Sequence, residues 1–597
     1  MKLPSFSFLI DAFARVCIRF PFAMVSAFIG VGCLMLMIQN HDSGLTVKHW
    51  LIAQLALPFF VALTAFSESR GWKSNWRHWA LQGAGLLLLG IYYMFFPDPK
   101  APGFEEIHGA RHGVLLLTAH LFVAFAPYLN RLPVADFWEY NKQLFANIVI
   151  GAVYTFILWA GLSLAILAVD QLFDLKVAGE IYLHLFVLLA GVFNTVFFLA
   201  HFPQDFDLGE QDLSYNVVFK NLCKFILIPI VGLYFLILYA YSAKILLTWT
   251  LPRGWVASLV IGFSVAGIFT YLLNYLLPKY DDSGMPAAYR RWFWWVMLPM
   301  VVLLFASINR RIGDYGVTEP RYFVVLIGLW LAGCGLYFIF SKQDNIKFIP
   351  VSLAVVGLLA VLGPFSAFSV AERSQVGLLK ELLEKNGRLA DGKVKQNTAP
   401  VPETEAQQIQ SGLDFLDRRD RLTAIQAWLP MLADSFPEVP DTYDSGDRIA
   451  AWLGVKTGSI GADDFRSMTV TIDRNSRSGD LRGYTNYYDV MLNGYGREPV
   501  YGRYFALRPD QRAIVWRENK NGTAVDLDVF LLDPFLKQWV AQSANDAYSL
   551  SGDENVEIKG KKADIRALIH DLRYEYKKDS FKIIHMDALI LLREKGR

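Results

Sequence analysis

Apolar residues in the first two thirds of the chain do not alternate with polar ones. They come in long unbroken runs, at about 20–38, 49–66, 78–96, 113–129, 144–169, 182–200, 224–248, 255–278, 292–308, 322–340 and 348–369. A helix needs about 20 mostly apolar residues to cross about 30 Å of hydrocarbon. The runs therefore predict about eleven transmembrane helices. Trp292, Trp294 and Trp295 stand at the mouth of the ninth run, and Tyr92 and Tyr93 near the end of the third. Aromatic side chains with a polar handle favour those interfacial depths. Phe6–Arg19 reads as a short interfacial helix ahead of the first span. No small-residue cleavage site follows the opening apolar run, so it is expected to stay in the chain.

After about residue 370 the pattern changes. Leu378, Leu379, Leu382 and Leu383 repeat at helical spacing within a charged stretch, 371–386. A polar, proline-containing linker follows to residue 402, and 403–454 reads mainly as helix. Then Met468–Asp473, Gly483–Leu492, Arg503–Leu507, Ala513–Arg517 and Ala524–Leu531 are rich in Val, Tyr, Phe and Thr between turn residues, and predict strands. A helix is expected near Ala563–Tyr576 and a last strand near Phe581–Leu592. The fold class is thus an α-helical transmembrane bundle followed by a soluble α+β domain. Its parts are 1–370, a junction helix and linker over 371–402, and 403–597.

Composition sharpens this division. The 597 residues are 54% hydrophobic and only 19% charged. Residues 1–371 hold 24 Lys+Arg and 20 Asp+Glu, and the shorter remainder holds 33 and 35. Neither part has the clustered basic excess that a nucleic-acid partner needs. The four cysteines, Cys17, Cys33, Cys223 and Cys334, all lie in or beside apolar runs. No pair has the close spacing of a zinc or redox motif. With the N-terminus inside, the inner loops carry 14 Lys+Arg and the outer loops 8. That bias favours a cytoplasmic N-terminus. An odd number of spans then puts the C-terminal domain outside the cytoplasm. Arg310, Arg311 and Arg321 on the outer side run against the trend.

The stretch Arg311-Ile-Gly-Asp-Tyr-Gly-Val-Thr-Glu-Pro-Arg-Tyr-Phe323 resembles a signature of bacterial membrane proteins grouped as domain of unknown function 4153. Gly363-Pro-Phe-Ser-Ala-Phe-Ser369, followed by Arg373-Ser-Gln375, is a second matching stretch. The resemblance implies a bacterial, multi-spanning protein of the inner membrane. It implies no particular activity.

Several groups carry candidate chemistry. Arg310, Arg311, Tyr315, Thr318, Glu319 and Arg321 fall between two spans. They read as a binding site for an anion or lipid head group, with Thr318 as N-cap and Pro320 in the first turn of the next helix. The bland alternative, arginines reaching to head groups as anchors, is the more common one. His120, His184, Asn194 and Asn274 are polar residues within spans, and Asp170 and His201 lie at span ends. Such groups either line a path or join helices by hydrogen bonds. Glu105, His108 and His112 have metal-binding residue types, but Pro102, Gly103 and Gly109 favour a loop there. Asp441–Asp447 looks like a calcium loop but places Tyr443 at a ligand position and Trp452 where the terminal Glu belongs. The tyrosines of Tyr484–Tyr488 and Tyr495–Tyr501 suit a recognition surface or paired aromatics in a sheet.

There is no phosphate-binding loop, His-Glu-x-x-His motif or nucleophile elbow. Nothing points to a cofactor, a metal or a catalytic residue. Three readings follow. The first is an envelope sensing or scaffolding protein of the bacterial inner membrane, with the lipid bilayer and an envelope protein as partners. The second is a secondary transporter or channel, and the third an enzyme acting on a lipid-linked substrate.

Overall fold

A computed structural model of the protein describes residues 6–39, 44–73, 75–100, 104–129, 132–207, 215–248, 255–341, 343–395, 397, 399–428, 449–450, 453–455, 466–472, 484, 486–493, 502–508, 513–520, 523–532, 534–537, 547–550, 556–577 and 580–595. Asp441–Asp447 and Tyr495–Tyr501 lie outside the described residues, as do the side chains of Glu105, Glu106 and Asp314. Two compact units are present, 1–397 with 408–453, and 398–407 with 454–597.

The first unit is helical. α1 (Phe6–Arg19) precedes α2 (Pro21–Ile38), α3 (Gly44–Glu68) and α4 (Trp76–Phe95). α5 (Ala110–Phe125) extends a wide π-type turn at Phe104–Gly109, so the Glu105–His112 segment is helical rather than the expected loop. α6 (Val134–Phe173) is 40 residues long. α7 (Glu180–Leu188) and α8 (Asn194–Ala200) form one pass through a second π-type turn, and α9 (Val217–Asn221) joins α10 (Ile228–Thr248) through a third. α11 (Trp255–Leu273), α12 (Met285–Tyr315), α13 (Glu319–Phe340), α14 (Phe348–Val361) and α15 (Ala367–Lys385) follow. Beyond α15 come a hairpin, β1 (Leu389–Ala390) with β2 (Lys393–Val394), and α16 (Glu403–Asp417).

Nine helical stretches among the described residues are long and apolar enough to cross a membrane. α4 and α14 are not among them. α4 opens on Arg77, His78 and Gln82, and α14 has only 14 residues. Both nevertheless run between the same two ends of the bundle as their neighbours. Ser67 Oγ meets His78 Nδ1 at 2.7 Å at the start of α4, and Lys48 donates to the Phe96 carbonyl at 2.6 Å at its finish. α14 begins beside Lys347, which reaches the Leu132 carbonyl, and leads to Phe365, whose carbonyl accepts from Tyr322 Oη at 2.7 Å. α1 therefore lies at one end of the bundle and the start of α15 at the other.

The end that holds α1 is tied by polar groups. Arg19 Nη2 lies 2.6 Å from Glu68 Oε2, and its other donors meet the carbonyls of Phe202 and Pro203 at 3.0 and 2.7 Å. Tyr128 Oη lies within donating distance of two carbonyls, Asp136 at 3.1 Å and Phe206 at 3.0 Å, which share its one proton. At the same end, Asp281 Oδ1 accepts from the Ser283 N–H at 2.8 Å, and Lys224 Nζ lies 3.0 Å from Oδ2. The Ser283 N–H, then Lys224, hold the Asp281 carboxyl at about 2 against an ordinary 3.8. A carboxylate lowered on folding stabilises above its unfolded pKa and loses that contribution as pH falls through the folded value. Amide-exchange protection of Ser283 is therefore expected to fall between about pH 4 and pH 2. Asp281→Asn should abolish that step; an unchanged step in the variant would assign it to another group.

The second unit is built on sheets. β3 (Arg466–Ile472), β4 (Asn486–Asn493), β8 (Ala547–Leu550), β9 (Val556–Lys559), β10 (Ala563–Lys577) and β11 (Ser580–Glu594) make a six-stranded sheet of order β4-β11-β10-β3-β8, with β9 also on β10. β5 (Gly502–Leu507), β6 (Ala513–Lys520) and β7 (Thr523–Leu531) make an antiparallel three-stranded sheet. The helix expected over Ala563–Tyr576 is a strand. Ile565, Ala567 and Ile569 are buried in alternation, and the next buried residue among the described side chains is Leu572. A bulge between Ile569 and Asp571 inserts the extra residue, and the resulting three-residue step imitates helical spacing. Burial raises the Asp528 carboxyl, but N–H donors from Lys562, Ala563, Lys561 and Val529 outweigh it and leave it below the ordinary value.

Candidate functional site

The residues expected to bind an anion between the two spans form a joint between helices. α12 continues through Arg310 and Arg311 to Tyr315, so only Gly316, Val317 and Thr318 separate it from α13. Arg310 and Arg311 are exposed on the last turns of α12. Thr318 occupies the N-cap position, but its side chain makes no cap hydrogen bond. Arg321 Nη1 donates to the Tyr315 and Gly316 carbonyls at 3.0 and 2.7 Å, satisfying carbonyls that the end of α12 leaves open. Glu319 is 4% exposed and receives Arg419 in a two-pronged contact at 2.8 and 2.9 Å.

α15 supplies the other half of the joint. Ser374 Oγ accepts from the Val317 N–H at 2.9 Å, and Gln375 Nε2 donates to the Tyr315 and Val317 carbonyls at 2.9 and 3.0 Å. Gly316 turns at φ 68°, and a Cβ there would stand 2.9 Å from Gln375 Nε2. The positive φ favours glycine, and a side chain there would also displace the Gln375 amide from its carbonyls. The two family-like stretches, far apart in sequence, thus meet. Each is visible in the sequence, but their mutual contact carries no local signal.

The span residues do not converge. His120 and His184 each donate from Nδ1 to a carbonyl four residues back, Leu116 and Glu180, at 2.8 Å. Asn194 packs against Gly151 of α6. Asn274 is fully buried and donates to the Pro286 carbonyl at 2.8 Å. Asp170 accepts from the Val177 N–H, and His201 Nδ1 donates to the Phe197 carbonyl. Each makes a local or helix-to-helix contact, while His184 Nε2, Asn194 Oδ1 and Asn274 Oδ1 are buried without a hydrogen-bond partner. Among the described residues no group of three His, Cys, Asp or Glu can hold a metal ion.

Beside the joint is a cavity of about 290 Å³. Its walls come from three segments: the end of α4 (Tyr92, Phe95, Phe96), the start of α5 (His108, Arg111) and the α14–α15 corner (Gly363, Ser366, Ser369). Ser366 is the N-cap of α15 and accepts from the Ser369 N–H. Tyr92 Oη meets His112 Nδ1 at 3.1 Å. The Arg111 guanidinium lies 5.0 Å from the Phe368 ring centroid, and its Nε is buried without a hydrogen-bond partner. Among the described residues no carboxylate is in ion-pair range of Arg111. Residue type alone marks His108 as a metal ligand; its position in this wall instead places it beside a cation.

Bundle, joint and cavity define a polytopic membrane protein with the beginning of its C-terminal third fastened to one end of the helices. The chain belongs to the family described as Domain of unknown function (DUF4153), whose profile matches residues 25–380. An uncharacterised protein of Pasteurella multocida (strain Pm70) is 25% identical over 371 residues, 62% of this chain and 59% of that protein. The chain thus spans less than two thirds of that relative's length. No solved structure matches.

Proposed function

We propose that the protein is an envelope sensing or scaffolding protein of the bacterial inner membrane, with its N-terminus cytoplasmic and its C-terminal unit in the periplasm, where it engages an envelope protein. The joint is the observation that carries this reading. Ser374, Gln375 and Arg419 fix the chain following the bundle to the α12–α13 turn, so a change at either is felt at the other. The excess of basic residues in the loops on the α1 side supports the orientation. A transporter is the weaker reading, because His120 and His184 bond within their own helices and Asn274 bonds to the Pro286 carbonyl.

A strain lacking the protein, carrying the chain with residues 454–597 deleted, should keep its envelope-stress sensitivity. Full rescue by that truncated chain would sink the proposal. An alkaline phosphatase fused after Arg597 should be active; an inactive fusion made at normal levels would place the tail in the cytoplasm.

A further inference from the structure

The cavity beside α15 combines features that no part of the scaffold role requires. Arg111 has its Nε buried and unbonded. Ser366 Oγ donates to Ser369 Oγ at 3.1 Å, which leaves the Ser369 hydroxyl proton free to point elsewhere. Ser366 and Ser369 are also the N-cap and third residue of a 19-residue helix, the end whose dipole favours an anion. Arg111 brings a positive charge to the wall, and Arg421, whose Nε lies 3.7 Å from Glu372 Oε2, is close enough to act electrostatically on both His108 and Arg111. Part of the lining is apolar and open: Phe95 is 83% and Leu362 57% exposed, and both line the cavity. They stand at the ends of helices that run the depth of the bundle. A cationic floor and an exposed apolar flank at membrane-interface depth match an amphiphile with an anionic head.

We propose that this cavity binds the phosphate of an anionic phospholipid, entered from the bilayer. Arg111 and His108 face the phosphate as charge partner and hydrogen-bond donor, and Ser369 with the first turn of α15 holds its remaining oxygens. Phe95 and Leu362 carry the acyl chains out to the lipid. The site adds to the scaffold reading and does not depend on it, since it is tested by binding alone.

The test is thermal unfolding of the full chain in a neutral detergent, titrated with phosphatidylglycerol, phosphatidylcholine, glycerol phosphate or inorganic phosphate. Phosphatidylglycerol is expected to raise the melting temperature at lipid concentrations where phosphatidylcholine does not. Arg111→Gln should weaken that effect about tenfold to a hundredfold, the scale of one lost charge-assisted hydrogen bond. Ser369→Ala, which removes a single hydroxyl and is the safer variant to fold, should weaken it by about threefold to tenfold. Lys176→Gln, an exposed cation at the same end of the bundle, should behave as wild type. Unchanged phosphatidylglycerol response in both Arg111→Gln and Ser369→Ala overturns the site. An equal loss in Lys176→Gln overturns it in favour of general surface charge. A full response to glycerol phosphate or inorganic phosphate overturns the lipid source and leaves a soluble phosphate ester as the ligand.

Discussion

Arg19→Leu is expected to destabilise the helical unit by about 3–5 kcal/mol, the usual cost of breaking a buried ion pair from one side. Arg19 and Glu68 side chains are only 12% and 6% exposed. Without Arg19, the Glu68 carboxylate keeps, among the described residues, only Lys73 in ion-pair range, 3.8 Å away and largely in solvent. The carbonyls of Phe202 and Pro203 also lose their donors. The guanidinium further sits 4.8 and 5.5 Å from the rings of Phe20 and Phe202, which adds a cation–π contribution. Thermal unfolding in detergent measures the effect. Arg19→Leu combined with Glu68→Leu should recover much of it, since no charge is then left buried. A single variant within about 1 kcal/mol of wild type would mean that water reaches Glu68 and screens it as on a surface.

The second large effect belongs to the joint. Arg419→Met leaves Glu319 buried without its guanidinium and removes a donor to the Phe415 carbonyl. The expected loss is again about 3–5 kcal/mol, but here it should appear as local release. Amide exchange should rise over α16 and the segment 418–428 while the helices of the bundle keep their protection. The double variant Glu319→Leu with Arg419→Met should restore most of the protection. If exchange in 403–428 is unchanged by Arg419→Met, the fastening rests on α15 alone, through Ser374 and Gln375.

The residues behind these predictions differ in how visible they are along the chain. Arg321 and Glu319 stand out because charge between two apolar runs is conspicuous. Their partners do not, because Arg419 lies 100 residues beyond Glu319 in a stretch with many other charges. Arg111 reads as one more outer-loop cation, whereas it sits on a helix in a cavity wall. The strand β10 reads as a helix because a bulge shifts its alternation by one residue. β8 and β9, four residues each, are too short to show a period.

The membrane class, the order of the helices and the place where apolar runs give way to charge are all legible in the linear chain. Hydrophobic transfer is additive along a local window, so about 20 consecutive residues suffice to announce a span. Which polar groups meet is settled only by the folded molecule: Arg19 with Glu68, Glu319 with Arg419, the two family-like stretches with each other, and Arg111 with the corner at Ser366. Such pairings reach far along the chain; Arg19 and Phe202 are 183 positions apart. They depend on which helices pack side by side, and no local period records that.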